Sequence, residues 1–267
     1  MNFRWLVGLV LLGLPLAPAW AECSKTLVVN QAAWQPYMYR TAEGDMAGLD
    51  YELVRHILEL AGCGYHFVEY PSKRALVGIE RGEIDLVAGA SITPARQVYG
   101  RFTRSYREER MVLLTRREDR GRYPATSLAQ FMSRYDVAIG AVNGGYYGEE
   151  FRDLDHSALQ RSNRLFLASD NERLLRMLML DRIDAVVGDV VSLHVTAESL
   201  AMADQISVHE HTLNADVVHF LLSKKSTTQS DLDAINTAIE AFVATDEYTA
   251  LLERFGFEPS KVMGSWR

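Results

Sequence analysis

Arg74-Ala-Leu leads, eleven positions on from the arginine, to Asp85 within Gly82-Glu-Ile-Asp-Leu-Val-Ala-Gly89. Arg173-Leu-Leu leads, again eleven positions on, to Asp184 within Asp181-Arg-Ile-Asp-Ala-Val-Val-Gly188. Each unit reads as a helix, a tight polar turn holding the aspartate, a short apolar strand, and a glycine where the strand ends. Two copies of one supersecondary unit point to two similar lobes. In open α/β sheets the carboxyl ends of the strands line the ligand crevice, so Gly89 and Gly188 are expected on two facing walls of one cleft.

Working outward, strand and helix patterns alternate, which gives an α/β fold with parallel sheets. Residues 27–30 form a short apolar run. Leu49, Leu53, Ile57, Leu60 and Ala61 recur at helical spacing, and Gly62 and Gly64 stop that helix. Residues 65–68 read as a strand, 73–81 as a helix and 84–88 as a strand. Residues 106–115 are expected to carry the chain into the second lobe, where 137–141 form a strand. Residues 217–222 read as a strand, and a helix over 231–245 returns the chain to the first lobe. The expected division is a first lobe of 22–107 and 216–267 around a second lobe of 108–215. A chain that crosses twice makes a two-stranded hinge, which suits a closing cleft. The charged run 116–122 reads as a solvated loop.

The amino terminus carries an export pattern. Arg4 precedes an apolar run over 6–16 that is short for a bilayer span, and Ala19-Trp20-Ala21 supplies small residues around a cleavage site. The mature chain is expected to begin near Glu22 and to reside in the periplasm. Its length of about 245 residues suits two lobes. An apolar fraction of 48% supplies a core, and a net charge of −7 with scattered basic residues argues against nucleic-acid binding. In an oxidising compartment the two cysteines deserve a pairing test. Cys23 precedes the first strand and Cys63 the strand at 65–68. If those strands are neighbours, the thiols share a sheet edge within disulfide reach; otherwise they are two free thiols. No metal-ligand spacing accompanies them, and neither metal nor cofactor is expected.

Gly82-Glu-Ile-Asp-Leu-Val-Ala-Gly-Ala-Ser-Ile-Thr-Pro-Ala-Arg96, followed by Phe102-Thr-Arg-Ser-Tyr106, closely resembles the signature of family-3 extracellular solute-binding proteins, the polar-amino-acid class of ABC transporters. Trp34-Gln-Pro-Tyr37, Ala47-Gly-Leu-Asp-Tyr-Glu-Leu53 and Ile183-Asp-Ala-Val-Val-Gly-Asp189 extend the likeness over nearly the whole mature chain, in order. The resemblance implies the type II periplasmic binding fold, with a crevice between two lobes. It implies that Arg96 grips a ligand carboxylate, with Ser91 as its hydroxyl partner and the backbone of Gly89 and Ala90 alongside. It places the receiver of an α-ammonium at Asp189 and sets Trp34 against the ligand side chain. One departure stands out: the stretch between Asp85 and Ser91 is one residue shorter than usual in the family.

These roles have a physical basis. A planar guanidinium engages both oxygens of a carboxylate, and a desolvated carboxylate opposite a cation makes a charge-assisted hydrogen bond. Asp189 is also placed to cap a helix starting at Val190, and Thr93 to cap one starting at Pro94; the two roles of Asp189 are compatible. Asn143-Gly-Gly-Tyr-Tyr-Gly148 joins the strand at 137–141 to a helix near Glu149. Backbone N–H groups at a helix start favour anions, so Gly145 and Tyr146 are expected to add donors. Tyr37 reads as a cleft wall or as packing beside Pro36. Arg74 opens a helix at the cleft rim and is expected to reach the pocket, favouring a ligand with a second acidic or polar group.

The function that follows is capture of a small amino-acid-like solute by a monomer, with delivery to an ABC permease. A membrane sensor reading the same event is an alternative, as is a dehydratase-type enzyme on the same scaffold. The chain's histidines, among them His209 and His211 at strand spacing and read as exposed, form no recognisable triad.

Overall fold

The computed structural model describes residues 23–256. The export segment read over 1–21 lies outside the described residues. The secondary structure alternates as the patterns predict. β1 (Leu27–Gln31) is followed by a small hairpin, β2 (Tyr39–Arg40) and β3 (Met46–Ala47), then α1 (Leu49–Leu60) and β4 (Tyr65–Glu69). α2 (Ser72–Arg81), β5 (Leu86–Ala90) and α3 (Pro94–Tyr99) lead into β6 (Gly100–Arg116). The second half of the alternation comprises α4 (Leu128–Arg134), β7 (Ile139–Val142), α5 (Glu149–Arg152), α6 (His156–Arg161), β8 (Leu165–Ala168), α7 (Asn171–Met179), β9 (Ala185–Asp189) and α8 (Val190–Ser199). β10 (Ile206–Ser223), α9 (Gln229–Val243) and α10 (Asp246–Arg254) return the chain.

Eight strands form one continuous sheet in the order β4-β1-β5-β10-β6-β9-β7-β8. β4, β1 and β5 are mutually parallel, as are β8, β7 and β9. The two sets are joined through the antiparallel pair β6 and β10, which runs from Gly100 opposite Ser223 to Arg116 opposite Ile206. The expected crossings at 106–115 and 217–222 are thus pieces of two much longer strands. Sequence periodicity hid their length because the middle of β10, from Val208 to Val217, is polar and largely open to solvent. The pairing shifts register at four places, among them on either side of His219 and of Thr212. Such bulges bend and twist a strand, so the ribbon joining the lobes is curved where it crosses between them.

Each lobe packs helices on both faces of its part of the sheet. In the first lobe α1 turns Leu49, Leu53, Val54, Ile57 and Leu58 inward against Leu27, Val29, Phe220 and the α9 residues Ile235 and Phe242. Ala75 and Ile79 of α2 cover the other face, over Val87 and Leu221. The second lobe repeats the plan, with Phe131, Ile139 and Val187 on one side and Leu174, Leu178, Val186 and Leu193 on the other. α9 starts at a reciprocal cap, in which the Thr228 hydroxyl accepts from the Asp231 N–H and the Asp231 carboxylate accepts from the Thr228 N–H. The helix stops two residues earlier than expected because the Thr245 hydroxyl takes the Tyr248 N–H and begins α10.

The repeated aspartates have a clear structural purpose. Asp85 donates its N–H to the Val28 carbonyl, and its carboxylate accepts the Val28 N–H, both at 2.8 Å. Asp184 does the same to Ala138, at 2.7 and 2.8 Å. Each aspartate therefore clips the start of its strand to the neighbouring parallel strand. The strands then run slightly later than predicted, with Gly89 and Gly188 each one residue before the end rather than after it.

Two further expectations change. The run 116–122 is not simply solvated. Arg116 is buried, donating to Asp119 and to the Leu178 and Ile183 carbonyls while pairing with Asp181 and Asp184. His209 and His211 are half-buried rather than exposed. His209 Nε2 lies 2.8 Å from the Tyr123 carbonyl and His211 Nε2 lies 2.9 Å from Glu150. Cys23 and Cys63 are joined in a disulfide at the β1/β4 edge, where Leu27 is opposite Tyr65.

Candidate functional site

A cavity of about 740 Å³ lies between the two lobes, within the size range of small-molecule sites. The ends of β5 and β9, the loop after β1 and the loop after β7 surround it. Trp34, Gly89, Ala90, Ser91, Arg96, Gly145, Tyr146 and Asp189 all line it, so eight of the ten predicted positions converge. The other two do not line it. Arg74 is exposed, its guanidinium stacked 4.2 Å over the Tyr70 ring, which corrects the expectation that it reaches the pocket. Tyr37 is fully buried beneath Trp34, with ring centroids 4.4 Å apart.

The lobes touch across the cavity. The Tyr37 hydroxyl donates to Asp189 Oδ1 at 2.8 Å, and the Ser192 hydroxyl donates to the Gln35 carbonyl at 2.6 Å. Arg96 donates Nη1 to the Ser91 carbonyl at 3.0 Å and Nη2 to the Gly144 carbonyl of the opposite lobe at 3.2 Å. Gly144 also lets the start of α2 come close to the opposite lobe: a Cβ there would stand 2.9 Å from the Lys73 backbone. Arg96 thus meets Ser91 through its carbonyl rather than through the expected hydroxyl. Thr93 accepts from the Arg96 N–H at 3.2 Å with Pro94 next, so local capping sets the arginine's position.

Backbone donors are less available than the sequence implied. The Gly89 N–H goes to the Tyr106 hydroxyl at 2.8 Å, and the Gly145 N–H to the Val142 carbonyl at 3.3 Å. Gly89 is required for shape instead. Its φ is +65°, and a Cβ would fall 2.6 Å from the Trp34 ring. The indole therefore packs directly against bare backbone.

The strongest electrostatics come from residues that motif reading passed over. Arg107 is buried and grips Asp50 of α1 with two hydrogen bonds, at 2.6 and 2.8 Å. Its guanidinium also lies 3.9 Å over the Tyr37 ring. Burial alone would weaken this cation, but Asp50, Tyr106 and Glu109 hold it well above the ordinary guanidinium value. Burial lowers Arg96, which pairs with no carboxylate among the described residues. Glu109, two residues along the same face of β6, lines the cavity with a side chain only 4% exposed. Burial pushes its carboxyl up to about 8, with Asp189 and Asp50 adding to the rise against Arg107. Asp189 is raised by burial too, against the bonds it accepts from the Ser192 N–H and Tyr37.

Arg107, Glu109 and Met111 alternate inward along β6. In a strand rich in charge, the signal available for finding this group was its two-residue alternation, which puts Arg107 and Glu109 on the inward face with Met111 while Glu108 is exposed between them. Among the described residues no group of three or more His, Cys, Asp or Glu is placed to hold a metal ion. No helix among them is long and apolar enough to cross a membrane.

Solved structures share this architecture. A histidine kinase sensor domain with similarity to periplasmic binding proteins superposes with a TM-score of 0.72 at 16% identity, over 87% of this chain and 96% of its own. The arginine-, lysine-, histidine-binding protein ArtJ from Geobacillus stearothermophilus gives 0.71 at 18% identity, over 89% and 97%. An ancestral amino-acid-binding protein, a precursor of cyclohexadienyl dehydratase, gives 0.69 at 18% identity, over 87% and 96%. These likenesses establish the two-lobed type II periplasmic binding fold. Residues 27–258 match the profile of the bacterial extracellular solute-binding proteins, family 3. With the sequence motifs, the fold and the profile in agreement, this chain belongs to family 3 of the bacterial extracellular solute-binding proteins.

Proposed function

We propose that the mature chain captures a small amino-acid-like solute in the periplasm by closing two lobes, 22–107 with 216–267 against 108–215, and presents it to an ABC permease. The observation that carries this reading is the cavity itself. One wall holds an arginine, Arg96, with no carboxylate partner; the other is acidic, with Glu109 and Asp189; and hydrogen bonds from Arg96, Tyr37 and Ser192 cross between the lobes. A carboxylate displaces the carbonyls from Arg96 and makes stronger, charge-assisted contacts. A cationic nitrogen answers the acids, and the Trp34 face packs the remainder of the solute. Binding and closure are then one event, because the residues that touch the solute also join the lobes. No chemical step is required of the site.

The experiment is a thermal-shift screen of the mature chain against amino acids, polyamines and small organic acids. A hundredfold excess over the dissociation constant stabilises by about 2.7 kcal/mol, or roughly 5–10 °C for a chain of this size. Arg96→Ala is expected to abolish the response to carboxylate-bearing solutes. An unchanged response in that variant overturns the clamp. Sensing by a membrane kinase is the second reading, supported by the likeness to a sensor domain. Radiolabelled uptake in cells lacking the gene separates the two: transport requires the protein, whereas sensing leaves uptake of the solute intact.

A further inference from the structure

Asn143 and Gly144 are the single Asn-Gly pair of the sequence. They form the centre of a turn after β7, closed by the Gly145 N–H donating to the Val142 carbonyl at 3.3 Å. Among the described residues neither the Asn143 side-chain amide nor the Gly144 N–H has a hydrogen-bond partner. Gly144 has φ +93° and no Cβ to crowd a ring closing on its nitrogen. Asn143 is half-buried and Gly145 is exposed, so water reaches the turn.

The turn is also part of the cleft. Arg96 Nη2 donates to the Gly144 carbonyl at 3.2 Å, and a Cβ on Gly144 would stand 2.9 Å from the Lys73 backbone. A charge created at position 143 therefore arises one residue from the contact that Arg96 makes with the opposite lobe.

We infer that Asn143 is a site of spontaneous deamidation, and that the carboxylate formed there engages Arg96 and disarms it as a clamp. The second half rests on the solute-binding reading given above. The Gly144 nitrogen loses its proton to solvent base and attacks Cγ of Asn143. The new N–Cγ bond closes a succinimide ring as the Cγ–Nδ2 bond breaks, and the amide nitrogen leaves as ammonia. Water then opens the ring at either carbonyl, giving aspartate or isoaspartate, with no change of oxidation state.

Both products carry a carboxylate where a neutral amide stood. Isoaspartate also lengthens the main chain by a methylene, and the close packing of Gly144 on Lys73 leaves little room for that shift. Arg96 donates to two carbonyls, and a guanidinium exchanges such partners for a carboxylate that it can grip with two bonds. A carboxylate tethered at position 143 thus competes with that of any solute.

The test ages the mature chain in mildly alkaline buffer and maps its peptides by mass. Acid in place of amide is expected at Asn143, with ammonia released. Asn143→Gln is expected to stay intact, because its longer side chain closes a ring far more slowly. An amide retained at 143, or loss spread evenly over the asparagines, overturns the site. The consequence is read as the midpoint concentration of the thermal response to an equimolar mixture of the proteinogenic L-amino acids. Aged wild type and fresh Asn143→Asp are expected to need roughly tenfold to a hundredfold more of the mixture than fresh wild type. Ageing is expected to leave the midpoint of Asn143→Gln where it was. An Asn143→Asp midpoint equal to that of wild type overturns the disarming of Arg96. Silence of fresh wild type overturns the solute-binding reading instead, and the pairing is then read without solute. Melting shifts of Asn143→Asp and Arg96→Ala that fail to add in the double variant support the pairing, and shifts that add overturn it.

Discussion

Glu109 shows what burial inside the cleft does to a carboxyl. A carboxyl raised to about 8 in the native protein, against about 4.3 in an unfolded chain, binds a proton in the folded state that the unfolded state has released. The contribution to stability is therefore fully present below about pH 4.3 and is lost as pH rises towards 8. Glutamine copies the neutral acid without the titration. Ligand-free Glu109→Gln is expected to melt within about 1 °C of wild type at pH 4, and several degrees higher at pH 8. A difference that does not vary with pH would show that Glu109 does not titrate in this range. Gly89 is tuned differently, since the left-handed backbone there lets the indole of Trp34 rest against it.

At the scale of elements, the repeated helix-turn-strand unit is held by its aspartate. Asp85 and Asp184 each accept the strand N–H of a residue far away in sequence, Val28 and Ala138. Asp85 is fully buried and also pairs with Lys25 at 2.8 Å, whereas the side chain of Asp184 is 29% exposed. Removing either leaves a backbone donor without a partner. In urea titrations Asp85→Ala is expected to cost about 2–4 kcal/mol and Asp184→Ala about half that, because water reaches the second site. Equal losses would mean that burial does not set the strength of the clip. The same logic explains why the charged run at 116–122 is structural: Arg116 gathers the end of α7, the turn before β9 and Asp119 around one guanidinium.

For the whole molecule, the two lobes share one sheet through β6 and β10, so the hinge is a continuous ribbon bent by bulges. Contacts that cross the cleft include Tyr37 to Asp189, Ser192 to Gln35 and Arg96 to Gly144. A single buried hydrogen bond to a charged group contributes about 1.5–3 kcal/mol, enough to move a two-state equilibrium by a factor of ten or more. Tyr37→Phe removes the hydroxyl and keeps the ring that Arg107 covers. Its ligand-free radius of gyration in small-angle scattering is expected to exceed that of wild type, and a saturating solute is expected to restore the smaller value. Identical ligand-free scattering from the two proteins would remove Tyr37 as a latch.

Local pattern determined the elements, because hydrophobic period, capping residues and stop glycines act within a few positions of one another. The repeated unit with its strand-end glycines, Thr93 before Pro94 and Asp189 before Val190 were legible for that reason. Eight of the residues around the cavity were also foreseen, six of them through the resemblance to the family and Gly145 and Tyr146 from their place before a helix start. Topology alone decided the rest. Asp50 and Arg107 are 57 positions apart, and nothing in either neighbourhood shows that one neutralises the other. Arg74 points away because Tyr70 holds it, and Gly145 lends no free donor because Val142 takes its N–H. Glu109 reads as an ordinary strand carboxylate until packing removes its water and sets it against the Arg107 guanidinium at 3.0 Å; desolvation is a property of the assembled cleft, which no short stretch of sequence contains.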